Sequence, residues 1–430
     1  MKKRVKNITV VVLALMLVIC GCGKDAQTMA GNSTSTQDAV SQVQSNSEQY
    51  SSGEEVPESR EPQSDMPESS EQPGSEQFSS EPEPFVEPEV DLIMVGDVLM
   101  HMRVTNSGKQ ADGSYNFDRL FEPTKEMVEE ADLAIVNQEV IMGGAEFGYS
   151  GYPRFNAPYA LADSLVNTGF DVVLHATNHT MDKGEEGVLN CLNYWETNFP
   201  ETAVIGMYDS QEERDQIYVY EQDGIRIAIL NYTYGTNGIA VPEDKPYMVN
   251  IMKESLIKAD IQKAKEIADF VIVCPHWGTE YVHEPSKWQR VWGEFMIDSG
   301  ADLILGTHPH VIEPVEWVET EKGNKGLVYW SLGNYINSTA SEGEGVADRM
   351  LGAMATVTIA KTEDGEVYIK EYGAEPLVTY VSGNGKTIVT YPMEEFTEDM
   401  ANESSTKKKD PNFSLEYCEQ VWEQVFGEIE

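Results

Sequence analysis

The chain has 430 residues and a formal net charge of −43, with 73 Asp and Glu against 30 Lys and Arg. That length exceeds one average domain, and that balance excludes the basic footprint a nucleic-acid binder needs. Side-chain charge alone repels anionic surfaces and polyanions, so an anionic substrate must be drawn by something else, and a bound cation would serve.

The N-terminus reads MKKRVKN, which is basic, followed by ITVVVLALMLVI, an apolar run short for a membrane span. This predicts an export signal over residues 1–22. Gly21 precedes Cys22, whereas bulky Ile19 precedes Cys20. A small residue before a cysteine at the end of an apolar core resembles the lipobox of bacterial lipoproteins, so Cys22 is the expected lipidation site. A lipid there would tether the exported protein to the outer face of the cell membrane. An ordinary cleaved signal and an uncleaved anchor are the alternatives.

Residues 23–86 are rich in Ser, Glu, Gln and Pro. Such a segment buries too little apolar surface to offset its ordering entropy, and it is expected to be a disordered acidic spacer. Beyond it, Cys191, Cys274 and Cys418 stand far apart with no CxxC spacing, which indicates neither a disulfide framework nor a zinc ribbon.

A folded domain is expected over 87–395. VDLIMV, LAIV, DVVLHA, RIAILNY, DFVIVC, ADLILG and GLVYWSLG are short apolar runs of the kind that form buried strands. Helical patterns such as PYALADSLVNTG, EEGVLNCLNYWETN and KWQRVWGEFMIDSG lie between them. The alternation predicts an α/β fold. Hairpins are expected at Asp223-Gly224 and Asp364-Gly365, so the sheets are mixed rather than all parallel. Trp288 and Trp292 are expected in the core. Residues 396–430 form a polar tail, spacer-like at first and closing with a helix over SLEYCEQVWEQVF.

Ligands in open α/β sheets sit beyond the carboxyl ends of strands. Asp97 follows VDLIMV, Glu139 follows LAIV, and Asn178 and His179 follow DVVLHA. His276 follows DFVIVC, His308 and His310 follow ADLILG, and Asn334 follows GLVYWSLG. One such residue alone is more often a cap or turn residue than a ligand. Convergence changes the reading: five of the seven histidines (His101, His179, His276, His308 and His310) fall at or just after strand ends. Imidazole with carboxylate suits Zn, Fe or Mn, and Asp97, Glu139, Asn178, His276, His308 and His310 are enough for two divalent ions. His179 is the candidate general acid, with Asp182 orienting its ring. His101, Asn334, Arg103 and Arg154 are further candidates for metal or substrate contact, exposed arginines being the alternative for the last two. His175 and His283 read as structural.

GDVLMH (96–101), NQE (137–139), ATNHTMDKGEEG (176–187), PHWGTEY (275–281), GTHPHVIEPVE (306–316) and WSLGNYI (330–336) resemble, in order, the motifs of the CapA family, associated with bacterial poly-γ-glutamate capsule synthesis. The resemblance covers about residues 90–345. It implies kinship with calcineurin-like metallophosphoesterases, and a four-layered sandwich of two mixed β-sheets flanked by helices. It implies that Glu139 bridges the metals, that Asn178-His179 matches the Asn-His step, and that His308 and His310 match the closing Gly-His-x-His element. There are departures. The phosphoesterase pattern puts a His two residues after its first Asp, whereas here the nearest is His101. Thr177 stands where Asn is familiar, and Thr307 and Glu313 stand where His and Gln are common.

The functional expectation is a surface-tethered, metal-dependent hydrolase or transferase acting on an anionic envelope polymer, with poly-γ-glutamate as the candidate. A non-catalytic accessory of capsule assembly or export, working with other capsule-synthesis proteins, is one alternative. A phosphoesterase acting on phosphoester substrates is another. No P-loop GxxxxGK[ST] is present, so activation of glutamate by ATP is not expected of this chain.

Overall fold

The computed structural model describes residues 85–427. The expected signal, Cys22 and nearly all of the 23–86 spacer lie outside the described residues. Fourteen strands are described: β1 (Glu89–Val98), β2 (Leu133–Asn137), β3 (Val172–Leu174), β4 (Ala203–Ile205), β5 (Tyr218–Gln222), β6 (Ile225–Thr233) and β7 (Phe270–His276), then β8 (Leu303–Leu305), β9 (Ile312–Glu319), β10 (Lys325–Leu332), β11 (Asn334–Ile336), β12 (Leu351–Lys361), β13 (Val367–Val381) and β14 (Ile388–Pro392).

They form two sheets. The first runs β14-β13-β12-β1-β2-β3-β4, with β11 also beside β1. Its half from β1 to β4 is parallel, and β12, β13 and β14 are antiparallel. The second runs β5-β6-β7-β8-β10-β9, parallel from β6 to β10 and closed at each edge by an antiparallel strand. Both sheets are therefore mixed. Both expected hairpins form, one between β5 and β6 and one between β12 and β13. Asp223 and Gly224 both take positive φ, as a two-residue hairpin turn requires.

The strands of the second sheet are apolar on both faces because both are covered. Along β6, Ile225, Ile227 and Ile229 join the large core shared with the first sheet, while Ala228, Leu230 and Tyr232 join a second core. β7, β8 and β10 alternate in the same way: Ile272, Leu303 and Tyr329 face one core, and Val273, Ile304 and Trp330 the other. The second core is completed by Ile257 and Ile261 of the helix Glu254–Ile267 and by Met296 and Ile297 of the helix Lys287–Ser299. Leu161 and Leu165 of the helix Ala160–Thr168, and Val188, Leu192 and Trp195 of the helix Gly184–Asn198, pack into the large core. The result is two mixed sheets flanked by helices. No described helix is long and apolar enough to cross a membrane.

Two expectations are corrected. Trp288 is 43% exposed rather than core, because it sits on the outward face of its helix. The stretch after Phe396 is not spacer-like. Helices Glu398–Glu403 and Ser405–Lys409 form there, capped by Thr397 and Ser404, and Phe396, Ala401 and Phe413 enter the large core.

One close approach positions the site. A Cβ on Gly96 would lie 2.0 Å from the carbonyl oxygen of Gly333, so β1 meets the β10–β11 junction backbone to backbone. Asp97 N–H donates to that same carbonyl at 3.0 Å. β1 continues through Val98, which places Asp97 inside the strand rather than after it.

Candidate metal centre

The carboxyl ends of the parallel strands deliver their polar residues to one crevice. Asp97 comes from β1, and Glu139 follows β2. Asn178 and His179 follow β3, His276 ends β7, His308 and His310 follow β8, and Asn334 opens β11. All eight are buried. Two triads of donor atoms, each within 4.8 Å of one another, share one residue: Glu139 with Asp97 and His310, and Glu139 with His276 and His308.

Neighbouring side chains fix these groups. Asn137 Nδ2 donates to Asp97 Oδ1 at 2.7 Å, and the backbone N–H of His308 donates to Asp97 Oδ2 at 3.2 Å. His276 Nδ1 lies 2.9 Å from Thr307 Oγ1, and its Nε2 lies 3.0 Å from Asn178 Oδ1. His310 Nδ1 lies 3.1 Å from Asn334 Oδ1 and 3.2 Å from Asp97 Oδ2. Asn334 Nδ2 donates to the His310 carbonyl at 3.0 Å. Asn334 thus orients an imidazole.

Among the buried atoms here without a hydrogen-bond partner are Glu139 Oε1, Glu139 Oε2 and His308 Nδ1. A buried carboxylate without partners is costly unless it meets a cation. Burial drives Glu139 well above the usual carboxylate range, and the Asp97 charge adds to this. Burial and neighbouring imidazoles hold His276 and His308 well below the usual histidine range. For His310 burial works downward, but the Glu139 and Asp97 carboxylates outweigh it and push the ring up to about 9. His276 and His308, held neutral, and carboxylate oxygens without hydrogen-bond partners are donors that divalent cations take, and His310 would release its ring proton to join them; the residues fit such ions.

His179 stands at the crevice mouth. Its Nδ1 lies 2.6 Å from Asp182 Oδ2, which also accepts the Phe155 N–H at 2.7 Å. Its Nε2 is 4.0 Å from Glu139 Oε1. A cavity of about 320 Å³ opens in front, lined among others by Tyr152, Arg154, Asn178, His179, Asp182 and Glu280.

Two expected candidates are not among these donor groups. His101 belongs to no donor triad among the described residues; it packs edge-on against Phe155 with centroids 5.3 Å apart, and burial lowers it to about 4. Arg103 donates to Ser405 Oγ at 3.2 Å and does not line the cavity. His175 is structural, its Nε2 accepting from Trp195 Nε1 at 3.2 Å. Sequence reasoning missed the aligning roles of Asn137 and Thr307. It also missed Glu280, whose carboxylate forms a third triad with His308 and His310. Its one available signal was position, four residues past His276 at the end of β7.

The family described as Bacterial capsule synthesis protein PGA_cap matches residues 91–339. The PGA biosynthesis protein CapA of Bacillus subtilis (strain 168) is 34% identical over 173 residues, 40% of this chain and 44% of that protein. The capsule biosynthesis protein CapA of Bacillus anthracis is 26% identical over 257 residues, 58% of this chain and 60% of that protein. Among solved structures, Haemophilus influenzae NAD nucleotidase aligns with a TM-score of 0.43 and 12% identity, over 79% of this chain and 60% of that one. The matches to the two curated relatives span about half of their length.

Proposed function

Because the chain belongs to the bacterial capsule synthesis family PGA_cap, matched over residues 91–339, we propose that it is a lipid-anchored, metal-dependent hydrolase or transferase acting on an anionic cell-envelope polymer, with poly-γ-glutamate as the candidate. One observation carries this reading: Glu139 is buried, neither of its oxygens has a hydrogen-bond partner, and it belongs to two donor triads at once. Asp97, Glu139 and His310 would hold one ion. Glu139, His276 and His308, with Asn178 beside His276, would hold the other. A pair of divalent ions supplies Lewis acidity and an acidified water.

The chain's own residues do the rest. Asp182 accepts the hydrogen bond from His179 Nδ1–H, which fixes the ring; when Nε2 also carries a proton, the imidazolium would give that proton to a leaving group and return to the neutral ring. The Phe155 N–H holds Asp182 in place. Arg154, exposed on the cavity wall, is positioned to meet a carboxylate or phosphate of the substrate. Lipidation at Cys22 would keep this chemistry at the outer face of the membrane. Cys22→Ser should release the protein from membranes, and continued tight anchoring would contradict it.

The test uses the purified full chain. Bound metal is counted, and turnover of phosphodiester and γ-glutamyl substrates is assayed beside His179→Ala. The expected result is metal retained and kcat reduced by roughly 10²–10⁴-fold in the variant. Unchanged turnover removes His179 from the mechanism. A wild-type chain that takes up no metal overturns the reading. Polymer binding without turnover of either substrate class replaces it with the assembly accessory.

A further inference from the structure

The two triads are unequally furnished. Glu139, His276 and His308 have Asn178 alongside, 3.0 Å from His276 Nε2, which makes four residues. Asp97, Glu139 and His310 are three, and His101 is in no triad among the described residues. Divalent ions of this chemistry take at least four donors.

Glu280 stands where another donor is needed. Its carboxylate lies within 4.8 Å of ring nitrogens of both His308 and His310, which belong to different triads. It lines the cavity together with His179 and Asp182, and it is exposed, whereas Glu139 is 1% exposed. A second observation points to a ligand here: His308 is 3% exposed and its buried Nδ1 has no partner. The loop carrying Glu280 is tied to the histidine turn. Tyr281 N–H donates to the Pro309 carbonyl at 2.8 Å, the Tyr281 ring stacks on His310 at 6.0 Å, and the Arg349 guanidinium lies 3.8 Å over Tyr281.

We propose that Glu280 is a further carboxylate ligand that closes the two-cation site from the cavity side, while Glu139 holds it from the buried floor. This rests on the reading of the crevice as a metal centre. Glu280 also faces the substrate cavity, so an incoming oxyanion competes with it for the same coordination positions.

The experiment titrates the chelator-treated full chain with Mn²⁺ by calorimetry, with bound metal counted independently. The wild type is expected to take up two equivalents. Glu280→Gln should keep one and weaken the other by at least about tenfold, with Glu280→Asp in between. Glu284→Gln, another exposed acid on the same loop, should bind like the wild type to within about twofold. Two equivalents bound with unchanged affinity in Glu280→Gln, or an equal loss in Glu284→Gln, overturns the ligand role and leaves the metal centre standing. A wild type that takes up no Mn²⁺ overturns both.

Discussion

Glu313 lies three positions after His310, is fully buried, and has one oxygen, Oε1, without a partner. The other accepts from Gln289 Nε2 at 2.5 Å. Burial pushes the carboxyl from 4.5 up to about 8. Its folded pKa is raised, so its contribution to stability is fully present below about pH 4.5 and is lost as pH rises through 8. The loss runs at no more than about 1.4 kcal/mol per pH unit in that window. A glutamine keeps the hydrogen-bonding capacity without the ionisation. Glu313→Gln should therefore match the wild type at pH 5 and exceed it increasingly toward pH 8. Denaturation midpoints at several pH values check this, and a difference that does not grow with pH refutes it. At this scale the sequence was readable where chemistry follows a strand end, which is why Asp97, Glu139, Asn178, His276, His308 and His310 could be named together. It was not readable where a partner is remote. Nothing near Arg103 announces Ser405, 302 positions away. Glu280 hides in a loop whose path is set by Tyr281 bonding to Pro309.

The turn between β8 and β9 is the element on which the site depends. His308 has φ 100° and His310 φ 59°, conformations in which a Cβ costs about 1–3 kcal/mol each. The surroundings hold them there. Thr307 N–H donates to the Pro275 carbonyl at 3.1 Å, His308 N–H to Asp97, and Asn334 to the His310 carbonyl. The strained turn brings nitrogens of both rings near Glu139 and Glu280. In helices and strands alanine outranks glycine. At position 308 the order should reverse: His308→Gly should be more stable than His308→Ala by roughly 1 kcal/mol, with metal uptake impaired equally in both. Paired denaturation curves decide it, and an alanine variant as stable as the glycine variant would show that the turn is relaxed. Among elements, the hairpins at Asp223-Gly224 and Asp364-Gly365 were legible because an Asp-Gly step marks each turn. The helices Glu398–Glu403 and Ser405–Lys409 were not, because their polar composition resembles the spacer. What orders this region is distant: Phe396 meets Phe413 with ring centroids 5.8 Å apart, and Asp410 accepts the Ala347 N–H at 3.0 Å.

For the whole molecule, the governing quantity is the net charge of −43. A cleft lined by charge opposite to its ligand speeds encounter, and salt then slows it. Here the sign is inverted for an anionic polymer. On the proposed reading the acidic body would repel such a substrate, and attraction would come from cations held in the crevice and from Arg154 at the cavity. Those act at contact distance, whereas the repulsion is long-ranged. The screening length shrinks from about 30 Å at 0.01 M salt to about 10 Å at 0.1 M. Added NaCl should therefore remove the repulsion before it weakens the contacts. On an anionic polymer, kcat/KM should rise several-fold between about 0.01 and 0.1 M NaCl, while a short phosphodiester carrying one charge should show little change. Steady-state rates on both substrates at fixed pH and fixed metal concentration measure this. A rate on the polymer that falls steadily with salt would mean that a cationic surface recruits it. The run Lys407, Lys408 and Lys409 would then be the first candidate for that surface, and recruitment by groups at the cavity alone would have to be given up.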